Sequence, residues 1–166
     1  LLAKDPFGQA NLAAQVSWTG LETIAGVLLL AVLIIAHLLH SRGRMRQSLV
    51  LLFVGTALFL TTTLYFFINR IEGYSQRAAI AFFEARQGEQ CYVITKNYKS
   101  YAQLFYTRKP PARDARAHDE TWLLHGDIDQ PVYVVCKSTS VEEVGAIPTL
   151  KEIGRKNGFV FFRRDP

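Results

Sequence analysis

The chain has 166 residues, 49% of them hydrophobic and 20% charged, with a formal net charge of +5. Those averages resemble a single soluble domain, yet the apolar residues crowd into roughly the first 70 positions, so the mean hides two different segments. The basic excess does not point to nucleic acid: Arg42, Arg44 and Arg46 share one short loop, and the other cations are interleaved with Asp and Glu rather than gathered on one face.

Residues 1–20 read as an external segment preceding the first span. The first apolar run, 23–41, has no Asp, Glu, Lys or Arg, and neither does 47–69. As helices of about 19 and about 23 residues, each is long enough for a hydrocarbon core of about 30 Å. Residues 28–39 are apolar nearly all round, whereas a helix in a soluble hairpin carries a polar stripe. The charge order argues against a cleaved signal peptide, because Glu22 precedes the first run and Arg42 follows it. A pair of transmembrane helices over 21–69 is therefore predicted. His37 and His40, one helical turn apart, are expected at the membrane interface rather than on a metal.

The arginines of the connecting loop set the orientation. They have no acidic residue among them, while the outer flanks mix Lys4 with Asp5 and Arg70 with Glu72, so the loop is expected to be cytoplasmic. Trp18 and the run Tyr65, Phe66 and Phe67 match an aromatic belt on the opposite face. The chain is then a multi-pass protein of the inner (plasma) membrane with an extracytoplasmic C-terminal domain over 70–166. It begins at Leu1 rather than Met, from which a longer parent protein is expected.

Beyond the second span the pattern is that of a small α/β domain. Residues 75–87 predict a helix with Ala78, Ala79, Phe82, Phe83 and Ala85 on its apolar side, closed by Gly88. Residues 90–95 predict a strand. Ser100 with Gln103 forms a capping-box pattern opening a helix to Thr107, which Pro110 and Pro111 end. An exposed loop is expected over 112–120 and a short edge strand over 122–124. A strand over 132–136, apolar at every position, predicts burial on both faces. Ser140 with Glu143 and Thr149 with Glu152 suggest two more helices, the second reaching Lys156, before Asn157-Gly158 turns the chain into a last strand over 159–163. Helix and strand in alternation predict a mostly parallel sheet. Aligning CYVITK with VYVVCK separates Cys91 from Cys136 by about 13 Å along the strands, so two free, buried thiols are expected.

Few residues suggest chemistry. His118 and His125 flank Asp119, Glu120 and Asp127, but this stretch reads as a solvated loop without the rigid frame a metal needs. No metal and no cofactor is expected. Lys99 and Ser100, where a helix follows a strand, are the candidate contact for an anion.

The phrases KDPFGQANLAA (4–14), KSYAQLFY (99–106), WLLHGDIDQPVYVVCK (122–137) and NGFVFFRR (157–164) resemble the C-terminal part of bacterial membrane glycosyltransferases of family 39. These are relatives of protein O-mannosyltransferases and of the lipid A aminoarabinose transferase. The resemblance implies a polytopic enzyme that transfers a sugar from a polyprenyl-phosphate carrier to an extracytoplasmic acceptor. It also implies further transmembrane helices as partners, beside the lipid bilayer and the lipid-linked sugar. That family keeps its catalytic aspartate in the first external loop of the full protein, so the chain itself is expected to lack the catalytic acid. The DPF context of Asp5 departs from the family's acidic pair. Lys99 and Ser100 become, on this resemblance, the donor-phosphate candidates. The competing reading is a membrane-tethered binding or assembly module of envelope polysaccharide biogenesis, which the sequence preceding Leu1 would distinguish.

Overall fold

A computed structural model describes residues 5–110 and 115–166, which divide into two compact units: residues 15–73, and the flanks on either side of them.

The first unit is a helical hairpin. Helix α2 spans Thr23–Ser41 and α3 spans Met45–Gly73, both long and apolar enough to cross a membrane. The two helices meet along a seam of small side chains: Ala25, Val32 and Ala36 of α2 and Ser48 and Gly55 of α3 are buried. Close approach explains why those residues are small. A Cβ added at Gly55 would lie 2.5 Å from a methyl of Val32. Small residues at matched heights let apolar helices pack where no hydrophobic drive separates them from lipid. The Ser48 hydroxyl donates to the Ala36 carbonyl at 2.8 Å, satisfying a buried polar group across the seam. Elsewhere the hairpin presents apolar side chains outward, Phe53 at 78% exposure among them.

The second unit is a three-layer α/β/α sandwich. Its sheet runs β1-β2-β4-β3, with β1 at Tyr92–Thr95, β2 at Val132–Lys137, β3 at Lys151–Lys156 and β4 at Phe159–Arg164. Only β1 and β2 are parallel; β4 is antiparallel to both β2 and β3. The expected mostly parallel sheet is therefore corrected to a mixed one. The cause is residues 149–156, predicted as helix, of which Lys151–Lys156 form strand β3. Asn157 and Gly158 both have positive φ, +46° and +78°, forming the two-residue turn that joins antiparallel neighbours. The Thr149 hydroxyl donates to the Leu124 carbonyl instead of capping a helix. As an edge strand, β3 is nearly all exposed and charged and carries an irregularity between Glu152 and Gly154, both of which discourage pairing with other chains.

One face of the sheet, built by Val132, Val134, Cys136, Val160 and Phe162, packs on Leu123 and Leu124 of α6 (Glu120–His125) and Val144 of α7 (Val141–Gly145). Residues 122–124, predicted as an edge strand, thus lie in a helix, whose start is fixed by Asp119 accepting from the amides of Thr121 and Trp122. The polar loop expected over 112–120 contains a 3-10 turn at Ala115–His118, and residues 112–114 lie outside the described residues. The other face, with Val135, Phe159 and Phe161, packs on Ala78, Ala79 and Phe83 of α4 (Arg77–Glu84), a shorter helix than predicted. Each large apolar side chain fully buried here contributes about 1.5–3 kcal/mol. Strand β2 is buried on both faces, as its unbroken apolar sequence predicts.

The segment before the hairpin belongs to this second unit. Helix α1, Pro6–Leu12, starts at Asp5, whose carboxylate accepts from the amides of Phe7 and Gly8, with Pro6 in the first turn. Phe7 then meets Phe159 edge to face, with ring centroids 5.2 Å apart. Both cysteines are free and buried. The register pairs Tyr92 with Val132, one residue out of step with the alignment of CYVITK on VYVVCK, which puts Cys91 and Cys136 on opposite faces of the sheet.

Candidate functional site

The carboxyl ends of the parallel strands β1 and β2 are where an open α/β sheet offers backbone and side chains to a ligand. Both strands finish in lysine, Lys96 just after β1 and Lys137 at the end of β2. Lys96 is committed to an ion pair with Glu120. Lys137 instead lies over two aromatic rings, its Nζ 4.8 Å from the centroid of Phe7 and 5.7 Å from that of Tyr98. Behind it the Ser138 amide donates to the Gly158 carbonyl at 2.8 Å, and the side-chain amide of buried Asn11 donates to the Phe7 carbonyl at 2.9 Å. The Asn11 side-chain oxygen and the hydroxyls of Ser138 and Tyr98 are buried without a hydrogen-bond partner among the described residues. Burial also pushes the Tyr98 phenol well above its ordinary range, so it stays a neutral hydroxyl.

Lys99 and Ser100 sit one short loop beyond Lys96. The helix they were expected to open, α5, covers only Ala102–Tyr106, and the capping box is not made. The Ser100 hydroxyl accepts from the Ala102 amide at 3.1 Å, while the Gln103 side-chain oxygen is buried without a partner. One turn of helix carries little dipole, so the anion candidate reduces to the exposed Lys99 ammonium beside Tyr101, 5.8 Å from its ring centroid. Lys137, Asn11 and Tyr98 were not among the predicted site residues. The shared final lysine of CYVITK and VYVVCK signals Lys137, but Asn11 enters only through the docking of α1.

A second polar cluster is occupied with structure. The Arg86 guanidinium is sandwiched between Phe82 and Tyr133, 4.4 and 4.3 Å from the ring centroids, and Glu89 accepts from the Tyr133 hydroxyl at 2.6 Å. The Lys109 ammonium donates to the carbonyls of Arg86 and Glu89. Around His118 and His125, Asp119 caps α6 and Glu120 holds Lys96, and among the described residues no three His, Cys, Asp or Glu side chains converge on a metal position. The two cysteines are screened from reaction: burial raises both thiols, Cys136 to about 11.

No family model matches the chain, and neither a curated protein nor a solved structure is similar to it.

Proposed function

We propose that this chain is the C-terminal part of a polytopic membrane glycosyltransferase that moves a sugar from a polyprenyl-phosphate carrier to an extracytoplasmic acceptor. The observation that carries the reading is where the family-39-like phrases fall. They are scattered over residues 4–164, yet they supply α1, α5, α6 with β2, and the turn into β4. Several of their side chains meet in one place: Phe7 touches Phe159, Lys137 lies over Phe7, and Ala102 and Tyr106 pack against the same core.

The hairpin supports the membrane part of the reading. Only 17% of the apolar window of α2 and 6% of that of α3 is buried, the reverse of a core helix in a soluble protein. Lipid and further transmembrane helices are the natural cover for such a surface. Two crossings return the chain to the side it left, consistent with α1 and residues 74–166 sharing one unit. The role we assign to that unit is positioning the lipid-linked donor, with Lys99, of the Lys99-Ser100 pair, as its phosphate contact and the acid that does the chemistry elsewhere in the enzyme.

Two measurements test this. In intact cells a thiol reagent should label Glu142→Cys but reach Arg44→Cys only after permeabilisation, against the low background of two buried native thiols. The protein encoded by the complete reading frame should transfer sugar from a polyprenyl-phosphate donor, whereas the purified 166-residue chain should not. Labelling of both positions from outside would overturn the orientation, and turnover by the chain alone would overturn the placement of the acid.

A further inference from the structure

Helix α5 faces two ways. Ala102 and Tyr106 pack inward against the aromatic core, yet Tyr101, Leu104 and Phe105 point outward at 68%, 62% and 73% exposure. Leu104 and Phe105 are adjacent on α5 and Tyr101 is its N-cap, so three large apolar side chains are exposed within five residues where a soluble helix would carry polar ones. Among the described residues of the α/β unit, the other exposed large hydrophobics are Leu12 at 64% and Ile153 at 42%, each alone in its stretch of sequence. Single exposed hydrophobics are ordinary on a protein surface; a cluster marks a contact.

The charge around this face indicates what it contacts. From Lys96 to Lys109 the chain holds Lys96, Lys99, Arg108 and Lys109 and no Asp or Glu, departing from the interleaving elsewhere. Lys96 and Lys109 are occupied by Glu120 and by backbone carbonyls, but Lys99 and Arg108, at either end of the apolar face, are exposed and have no ion-pair partner among the described residues. Aromatic and leucine side chains rimmed by free cations are the composition that settles into the head-group layer of an anionic membrane. The unit is tethered to the hairpin by a short connection, residues 74–76 between the end of α3 and the start of α4.

We infer that the outward face of α5 inserts into the interfacial layer of an anionic lipid bilayer, with Tyr101, Leu104 and Phe105 among the upper acyl carbons and Lys99 and Arg108 on the phosphates. The inference rests on the membrane reading of α2 and α3 and is independent of sugar transfer. It makes α5 a second anchor, reversible and sensitive to lipid charge.

The test uses the full chain in vesicles of phosphatidylcholine with or without phosphatidylglycerol. An environment-sensitive fluorophore is placed at Leu104→Cys, with Ile153→Cys as the exposed control, and lipids brominated on the acyl chain serve as quenchers. The label at 104 should be blue-shifted and quenched in the anionic vesicles and less so in the neutral ones, while the label at 153 stays aqueous. Lys99→Glu with Arg108→Glu should return the 104 signal to that of the control. Equal emission from the two positions in anionic vesicles would overturn the inference. So would a blue shift that ignores brominated lipid and fades as the protein is diluted among vesicles, which would give the face to a second copy of the chain. Release of the whole chain by alkaline extraction would remove the membrane reading beneath it.

Discussion

Glu22 and Arg70, 48 positions apart, form a 3.3 Å ion pair between the start of α2 and the last turn of α3. The Glu22 carboxylate is nearly inaccessible and also accepts from the amide and hydroxyl of Thr19. The pair closes the hairpin at the end away from its arginine loop. Reversing Arg70→Glu should lower the melting temperature of the detergent-solubilised chain by several degrees, because it sets two carboxylates against each other. Adding Glu22→Arg should recover part of the loss, the remainder being the Thr19 contacts. A double variant no more stable than the single one would show that the pair contributes nothing.

Along the same seam, Gly55→Ala should destabilise the hairpin by about 1–3 kcal/mol, the usual cost of an added carbon in a packed interface. The new methyl would lie 2.5 Å from Val32. Val32→Ala in the same chain should relieve most of the effect, and a Gly55→Ala variant as stable as wild type would mean that the two helices do not approach this closely.

The turn before β4 offers a matched pair of glycines. Gly158 has φ +78°, and a Cβ there would lie 2.9 Å from the Phe7 ring. Gly154 has open space around it and no left-handed backbone. Gly158→Ala should cost about 1–3 kcal/mol, and Gly154→Ala should stay within about 0.5 kcal/mol. Equal losses at the two positions in chemical denaturation would contradict the turn.

Alkaline stability should report the buried thiols. Cys136 is raised by burial from 9.0 to about 11, so the folded state holds its proton more tightly than the unfolded chain does. That contribution is complete below about pH 9 and is lost as pH rises through about 11. Cys91 shifts in the same direction for the same first cause. Replacement of Cys136 by Val should therefore flatten the fall of unfolding free energy across this window, and an unchanged slope would show that the thiol is not protected.

If the proposed transferase reading holds, Lys99→Ala in the protein encoded by the complete reading frame should raise the donor KM several-fold and leave kcat nearly unchanged, as loss of a contact made equally in ground and transition states does. Unchanged KM in a well-expressed variant would make Lys99 an ordinary surface residue. A matching drop in kcat would instead tie it to the chemical step.

What could be read from the sequence follows the range of the interactions concerned. The apolar helices, strands β1, β2 and β4 and the Asn157-Gly158 turn are written in local composition. Strand β3 is not: KEIGRK has almost no buried side to impose a period of two, and Thr149 and Glu152 imitate a helix start. Residues 122–124 are too few to show a helical period, and the decisive signal, the Asp119 cap, looks like any acid in a polar loop. The candidate site divides in the same way. Lys99 and Ser100 are visible as a local pattern, whereas Lys137 and Asn11 come together around Phe7 only when α1 docks on the Asn157-Gly158 turn.

That docking has a consequence for the order of synthesis. Phe7 leaves the ribosome near the start of this chain and Phe159 near its end, with both apolar helices translated between them. The sandwich cannot close behind a growing chain in the usual way, since its first helix must wait, exposed, until the last strand has been made. Any factor that guards this protein during its biogenesis should be found on residues 5–14 early and released only when β4 emerges.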